Sequence, residues 1–146
     1  MVTFSVNKKE SGKNYLERAG AYGFIINKDG LLATVQTKTG YFLPGGGIEA
    51  GESEEECLKR ECLEEIGMEI SIKSKFAIGT YHFHSTTADR DMTSVGHFFD
   101  CAMESMTDSQ SEPGHRLAWL APSDATKSLY LENQNEAVKI YLKKFK

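Results

Sequence analysis

From Pro44 to Gly67 the sequence reads as a glycine-rich corner followed by a helix whose two ends are both specified. Pro44-Gly45-Gly46-Gly47 ends regular structure and starts a loop with backbone conformations closed to other residues. Ser53 stands as N-cap with Glu56 three residues on, the pairing of a capping box. Glu54, Glu55 and Glu56 set negative charge against the positive end of the helix dipole, and Gly67 takes the C-cap position. A helix is therefore expected over 53–66, with Leu58, Cys62, Leu63 and Ile66 on the arc that faces a core. Glu61, Glu64 and Glu65 stand at i, i+3 and i+4 and share one face.

Around this helix the apolar pattern predicts strands. Ala21 to Asn27 and Leu31 to Thr37 flank Lys28-Asp29-Gly30, a hairpin turn signal. A turn at Lys38-Thr39-Gly40 leads into a short strand, Tyr41 to Leu43. Ile70 to His84 and Ser94 to Met103 read as strands joined by a long polar loop, Ser85 to Thr93. Met106 to Gly114 is a second polar loop, followed by a short strand at Leu117 to Leu120 and a short helix opened by Pro122. Leu131 to Phe145 forms an amphipathic helix with Ala137, Val138, Tyr141, Leu142 and Phe145 inward. The order of elements predicts an α+β fold, an α/β/α arrangement with a mixed sheet between helices, as one domain over 1–146.

Charge is concentrated. Nine of the 21 acidic residues and two of the 17 basic ones fall between Gly46 and Glu69, so the remainder is slightly basic. There is no basic stripe to bind duplex nucleic acid. No run approaches the roughly 18 apolar residues of a membrane-spanning helix. The start lacks the charged-then-apolar pattern of a signal peptide, and Cys57, Cys62 and Cys101 make neither a disulfide framework nor a zinc pattern. A cytoplasmic protein is expected. His82 and His84 alternate on one strand face, but two ligands are too few for zinc.

Three like charges on one helix face repel one another unless something neutralises them. A solvated acidic face and a hard-cation site both fit that observation, and carboxylate oxygens suit magnesium, manganese or calcium. The wider spacing separates the two. Counting from Gly46, five residues lead to Glu52 and seven more to Arg60-Glu61; Cys62, Leu63, Glu64-Glu65, Ile66, Gly67 and Met68 follow. This run, 46–68, resembles the Nudix box, G-x5-E-x7-R-E-U-x-E-E-x-G-U with U a bulky apolar residue. Every fixed letter is met, and the one departure is the small Cys62 at the first U. Leu43 to Gly47, Glu49 to Ser53 and Trp119 to Ala125 look like the family's approach to the box and its closing strand-to-helix corner.

The resemblance implies a Nudix α/β/α sandwich and hydrolysis of a nucleoside diphosphate linked to another moiety, with magnesium as cofactor and manganese able to substitute. Carried over by position, Glu61, Glu64 and Glu65 would hold the metal with the carbonyl of Gly45. Arg60 would orient a glutamate of the cluster, and Glu52 would support the loop–helix geometry. The base would come from the box or from a distant loop, where Glu112 and His115 are candidates. Arg18 and Arg90 are candidates for holding substrate phosphates. The partner implied is a small-molecule nucleotide, with nucleoside triphosphates the mild favourite. The alternative is a Nudix-fold module that senses a nucleotide without turning it over.

Overall fold

A computed structural model describes residues 1–107 and 112–145. The chain forms β1 (Val2–Ser5), β2 (Leu16–Ile25), β3 (Leu32–Gln36), β4 (Tyr41–Phe42) and β5 (Gly45–Gly47), then α1 (Glu54–Ile66). After it come β6 (Met68–Ser85), β7 (Arg90–Met106), β8 (Arg116–Leu120), α2 (Pro122–Ser128) and α3 (Glu132–Phe145). A mixed five-stranded sheet has the order β1-β6-β7-β2-β5, and a smaller antiparallel sheet the order β4-β3-β8. Among the described residues no helix is long and apolar enough to cross a membrane.

Successive side chains of the central strands point to opposite faces, so each strand feeds two cores. Ala21, Ile25, Phe99 and Cys101 pack under α1 with Cys57, Leu58, Cys62 and Ile66. Phe24 and Phe98 point the other way, against Ala137, Val138 and Tyr141 of α3. Phe24 stacks on Tyr141 with ring centroids 4.6 Å apart and meets Phe76 edge-on at 5.2 Å. Burying each such ring contributes about 1.5–3 kcal/mol. The expected α+β sandwich, helices on both faces of a mixed sheet, is the architecture formed.

Several local expectations need correction. The Asp29-Gly30 turn forms, with Gly30 at φ 78 and Asn27 N–H donating to Leu31 O at 2.9 Å. Its two strands nevertheless share only the Ile26–Leu32 bridge. β7 runs along one edge of β2 and β5 along Gly20–Tyr22 of the other, while β3 pairs with β4 and β8 in the second sheet. Gly45–Gly47 is a strand paired with Gly20–Tyr22, where a loop was expected. The long polar loop at 85–93 shrinks to a turn over 86–89, because β6 and β7 stay paired as far as Ser85 and Arg90. Its polar residues pair across the strands instead: His82 Nδ1 lies 2.8 Å from Thr93 Oγ1, and His84 Nδ1 3.1 Å from Asp91 Oδ1. Leu63, expected inside, is 40% exposed, while Cys57 is fully buried. The core-facing arc of α1 is rotated toward the glycine strand that lies on it: Cys57 Sγ is 3.4 Å from both Gly46 O and Gly47 O. Of the expected loop at 106–114, Met106 ends β7, and 108–111 lie outside the described residues.

Candidate active site

The capping box of α1 forms as read: Ser53 Oγ accepts from Glu56 N–H at 3.1 Å, and Glu56 Oε1 accepts from Ser53 N–H at 2.8 Å. Gly67 closes the helix at φ 62. With both ends set, the C-terminal half of α1 presents its carboxylates beside β5. The two elements touch so closely that a Cβ on Gly46 would lie 1.6 Å from Glu61 Oε2. Any side chain there must push the tip of Glu61 away.

Arg60 organises one side of the cluster. Its Nε and Nη2 donate to the two oxygens of Glu52 at 2.6 and 3.0 Å, a two-pronged pair. Nη1 reaches Glu61 Oε1 at 3.2 Å and Glu64 Oε2 at 3.1 Å, and Nη2 also donates to Gly47 O at 3.3 Å. The guanidinium, then a hydrogen bond from Glu49 N–H, holds the Glu52 carboxyl down at about 2. One cation thus ties the Glu52 turn, the helix and the glycine strand together.

Glu65 stands on the other side of the cluster. Glu65 Oε1 accepts from Gly45 N–H at 3.0 Å, and its side chain is only 13% exposed. Burial, reinforced by Glu61, Glu112 and Glu64, pushes its carboxyl up to about 8 despite that hydrogen bond. Burial also pushes Glu61 up, with Arg60 opposing and Glu64 and Glu112 adding to it. Glu112 arrives from the segment before β8, where its N–H donates to Glu64 O at 3.0 Å. One carboxylate oxygen from each of Glu61, Glu64 and Glu112 falls within 4.8 Å of the other two. An all-oxygen set with excess negative charge suits a hard divalent cation. His115 sits between Glu65 and Glu112, with Nε2 4.0 Å from Glu65 Oε2 and Nδ1 3.6 Å from Glu112 Oε2.

The chain therefore brings together Glu52, Arg60, Glu61, Glu64, Glu65, Glu112 and His115. Gly45 meets Glu65 through its N–H. Next to this cluster, across β5, lies a cleft of about 370 Å³, lined by Arg18, Tyr22, Gly47, Phe83, Met92 and Leu131 among others. The hairpin tip contributes Ser85, Thr87 and Ala88 to its wall. Phe83 is backed by Tyr81, the rings stacked 5.0 Å apart. Burial, then the charge of Glu65, pushes the Tyr22 phenol up to about 12, so it stays protonated at neutral pH. Arg90 is exposed at the first residue of β7 and, among the described residues, lines neither cluster nor cleft. Sequence reasoning passed over Phe83 and Met92. They are cross-strand partners on one face, a relation visible only once the short turn fixes the register.

The model of the NUDIX domain family matches residues 16–142. The chain belongs to that family. It is 38% identical over 82 residues to an ADP-ribose pyrophosphatase of Methanocaldococcus jannaschii, a match covering 53% of this chain and 45% of that protein, less than half of the relative's length. A NUDIX hydrolase from Nitrosomonas europaea superposes with a TM-score of 0.71 at 20% identity, over 86% of this chain and 88% of that one. A MutT protein from Methanosarcina mazei Go1 does so with 0.64 at 20% identity, over 89% and 98%. At these identities the two solved structures establish the fold alone.

Proposed function

We propose that the protein is a magnesium-dependent pyrophosphohydrolase that cleaves a nucleoside diphosphate linked to a second group, with manganese able to replace magnesium. The observation that carries this reading is the convergence of Glu61, Glu64 and Glu112 oxygens within 4.8 Å beside the buried Glu65. A divalent cation bound there would screen the phosphate charge and make water a better nucleophile at neutral pH. Glu61, Glu64, Glu65 and the carbonyl of Gly45 are its holders in this reading, joined by Glu112. Arg60 keeps Glu61 and Glu64 oriented, and Glu52 keeps Arg60 in place; the hydrogen bonds of 2.6–3.2 Å among them support both roles. Glu112 and His115 are the groups assigned to take the proton of the attacking water, supported by their contact at 3.6 Å and by His115 facing Glu65.

Nucleoside triphosphates remain the favoured substrates. The cleft is at the small end of ligand pockets, is walled by Phe83, Met92 and Leu131, and suits one base. A relative named for ADP-ribose leaves sugar-linked diphosphates as competitors. The test is a panel of nucleoside triphosphates, sugar nucleotides, dinucleotides and nucleotide cofactors, assayed for magnesium-dependent release of a monophosphate. Turnover of at least one class is expected. Binding without turnover across the panel would instead favour a nucleotide-sensing module.

A further inference from the structure

Asn133, in the first turn of α3, is fully buried between that helix and the large sheet. Its Nδ2 lies 3.1 Å from Gly79 O, 3.5 Å from Ser94 O and 3.3 Å from Ser94 Oγ. Two carbonyl oxygens on that side require the donor end of the amide there. Asn133 Oδ1 is left buried and, among the described residues, without a partner, a cost the fold accepts to keep the amide this way round. Ser94 Oγ therefore receives an N–H, and its own proton has to point elsewhere. Among the described residues no acceptor takes that proton. Ser94 is half-buried and lines the cleft with Phe83, Met92 and Leu131. Its cross-strand partner, Tyr81, has its hydroxyl bonded to Glu132 instead.

The sheet decides which part of a nucleotide Ser94 meets. β5, β2, β7 and β6 lie side by side in that order, and the carboxylate cluster abuts β5, where Gly46 meets Glu61. Ser94 on β7 stands two strand spacings, about 10 Å, from that edge. Phosphates drawn to the cluster leave the nucleoside over β7 and β6, where Phe83 and Met92 form an apolar wall. We infer that Ser94, its hydroxyl turned outward by Asn133, donates to a ring carbonyl of the base, so that the site selects keto bases over amino bases. The position read is the one where guanine, hypoxanthine and uracil carry an oxygen and adenine and cytosine an amino group. An amino group there sets N–H against O–H, donor against donor, in a half-enclosed site. This rests on the pyrophosphohydrolase reading and adds to it the class of base.

The test uses two matched pairs, inosine against adenosine triphosphate and uridine against cytidine triphosphate. The ratio of kcat/KM within each pair is measured with magnesium for the parent, Ser94→Ala and Asn133→Leu, and the corresponding monophosphates are titrated by calorimetry. The parent is expected to favour the keto member of each pair about tenfold or more. Ser94→Ala should lose about tenfold on the keto member and little on the amino member, which brings the ratio close to one. Asn133→Leu frees the hydroxyl to turn and accept, so the amino member should gain and the ratio fall. A merely structural loss would lower both members alike and leave the ratio unchanged. A parent ratio near or below one, or a Ser94→Ala protein that keeps the parent's ratio, overturns the assignment, and turnover itself leaves the hydrolase reading standing. A folded Asn133→Leu protein with the parent's ratio overturns the part given to Asn133. A parent that turns over no nucleotide, yet binds the keto monophosphates more tightly and loses that preference on Ser94→Ala, keeps the base reader and overturns the hydrolase reading. A parent that neither binds a monophosphate nor turns over any nucleotide overturns both.

Discussion

Arg60 holds Glu52 by two parallel hydrogen bonds, of 2.6 and 3.0 Å, while its third nitrogen reaches Glu61 and Glu64. The fork matters more than the charge. A lysine keeps the charge but, as a single ammonium, cannot engage both Glu52 oxygens and still face the helix. Arg60→Lys is expected to lower turnover on the order of a hundredfold through misplacement of the cluster. Far-ultraviolet circular dichroism should stay native. Turnover within about threefold of the parent would show that the fork has no part in the reaction.

Gly46 makes a second, independent handle on the same cluster. The Cβ of Gly46→Ala would meet the flexible tip of Glu61 at 1.6 Å, so the carboxylate must swing away. The metal-free protein should unfold near the parent's urea midpoint, because Gly46 has ordinary negative φ. Its melting temperature should rise less with magnesium than the parent's does. An undiminished rise would mean that Glu61 is not a metal holder.

The helix and its carboxylates were legible because local rules decide them. Ser53, Glu56 and Gly67 act within one turn of themselves, and the spacing of Glu61, Glu64 and Glu65 is a property of any helix. The corners were less so. Gly45–Gly47 has poor strand propensity and pairs only because β2 offers a free edge, which is a tertiary fact. The polar run from Ser85 to Thr93 was misjudged because His82–Thr93 and His84–Asp91 satisfy one another across the hairpin, so polarity there did not signal a loop. The substrate cleft was hardly legible at all. Arg18 is recognisable as a candidate, but its place in the cleft beside Gly47 depends on strand pairing that exists only in the folded sheet.

The pH dependence of stability follows from Glu65. Its carboxyl is pushed from 4.5 up to about 8 in the folded protein, so between those values the folded chain holds a proton that the unfolded chain has lost. Stability must then fall as pH rises through that window and level off above it. Melting curves in a chelator from pH 5 to pH 9 should show this fall, and Glu65→Gln should flatten it. Binding of a cation displaces the same proton, so the magnesium-induced rise in melting temperature should grow from pH 6 to pH 8. Identical pH profiles for parent and variant would place the proton elsewhere.

The hairpin tip should govern choice of substrate without touching the chemistry. Thr87 and Ala88 line the cleft from the 86–89 turn, far in sequence from the carboxylates. Replacing 86–89 with Asn-Gly removes that wall while keeping a turn that the two strands accept. The ranking across the nucleotide panel should broaden, with the magnesium-induced thermal shift unchanged. An unchanged ranking would assign selectivity to Phe83, Met92 and the opposite wall.

The most direct test of a carboxylate cluster that carries hydrolysis is a side-by-side rate measurement on Glu65→Gln. The variant replaces a buried carboxyl that must take up a proton on folding at neutral pH, so its metal-free stability should equal or exceed the parent's. Its magnesium-dependent kcat on the best panel substrate should fall by about a hundredfold or more. A folded Glu65→Gln protein that releases monophosphate at the parent's rate would contradict the assignment of the reaction to this cluster.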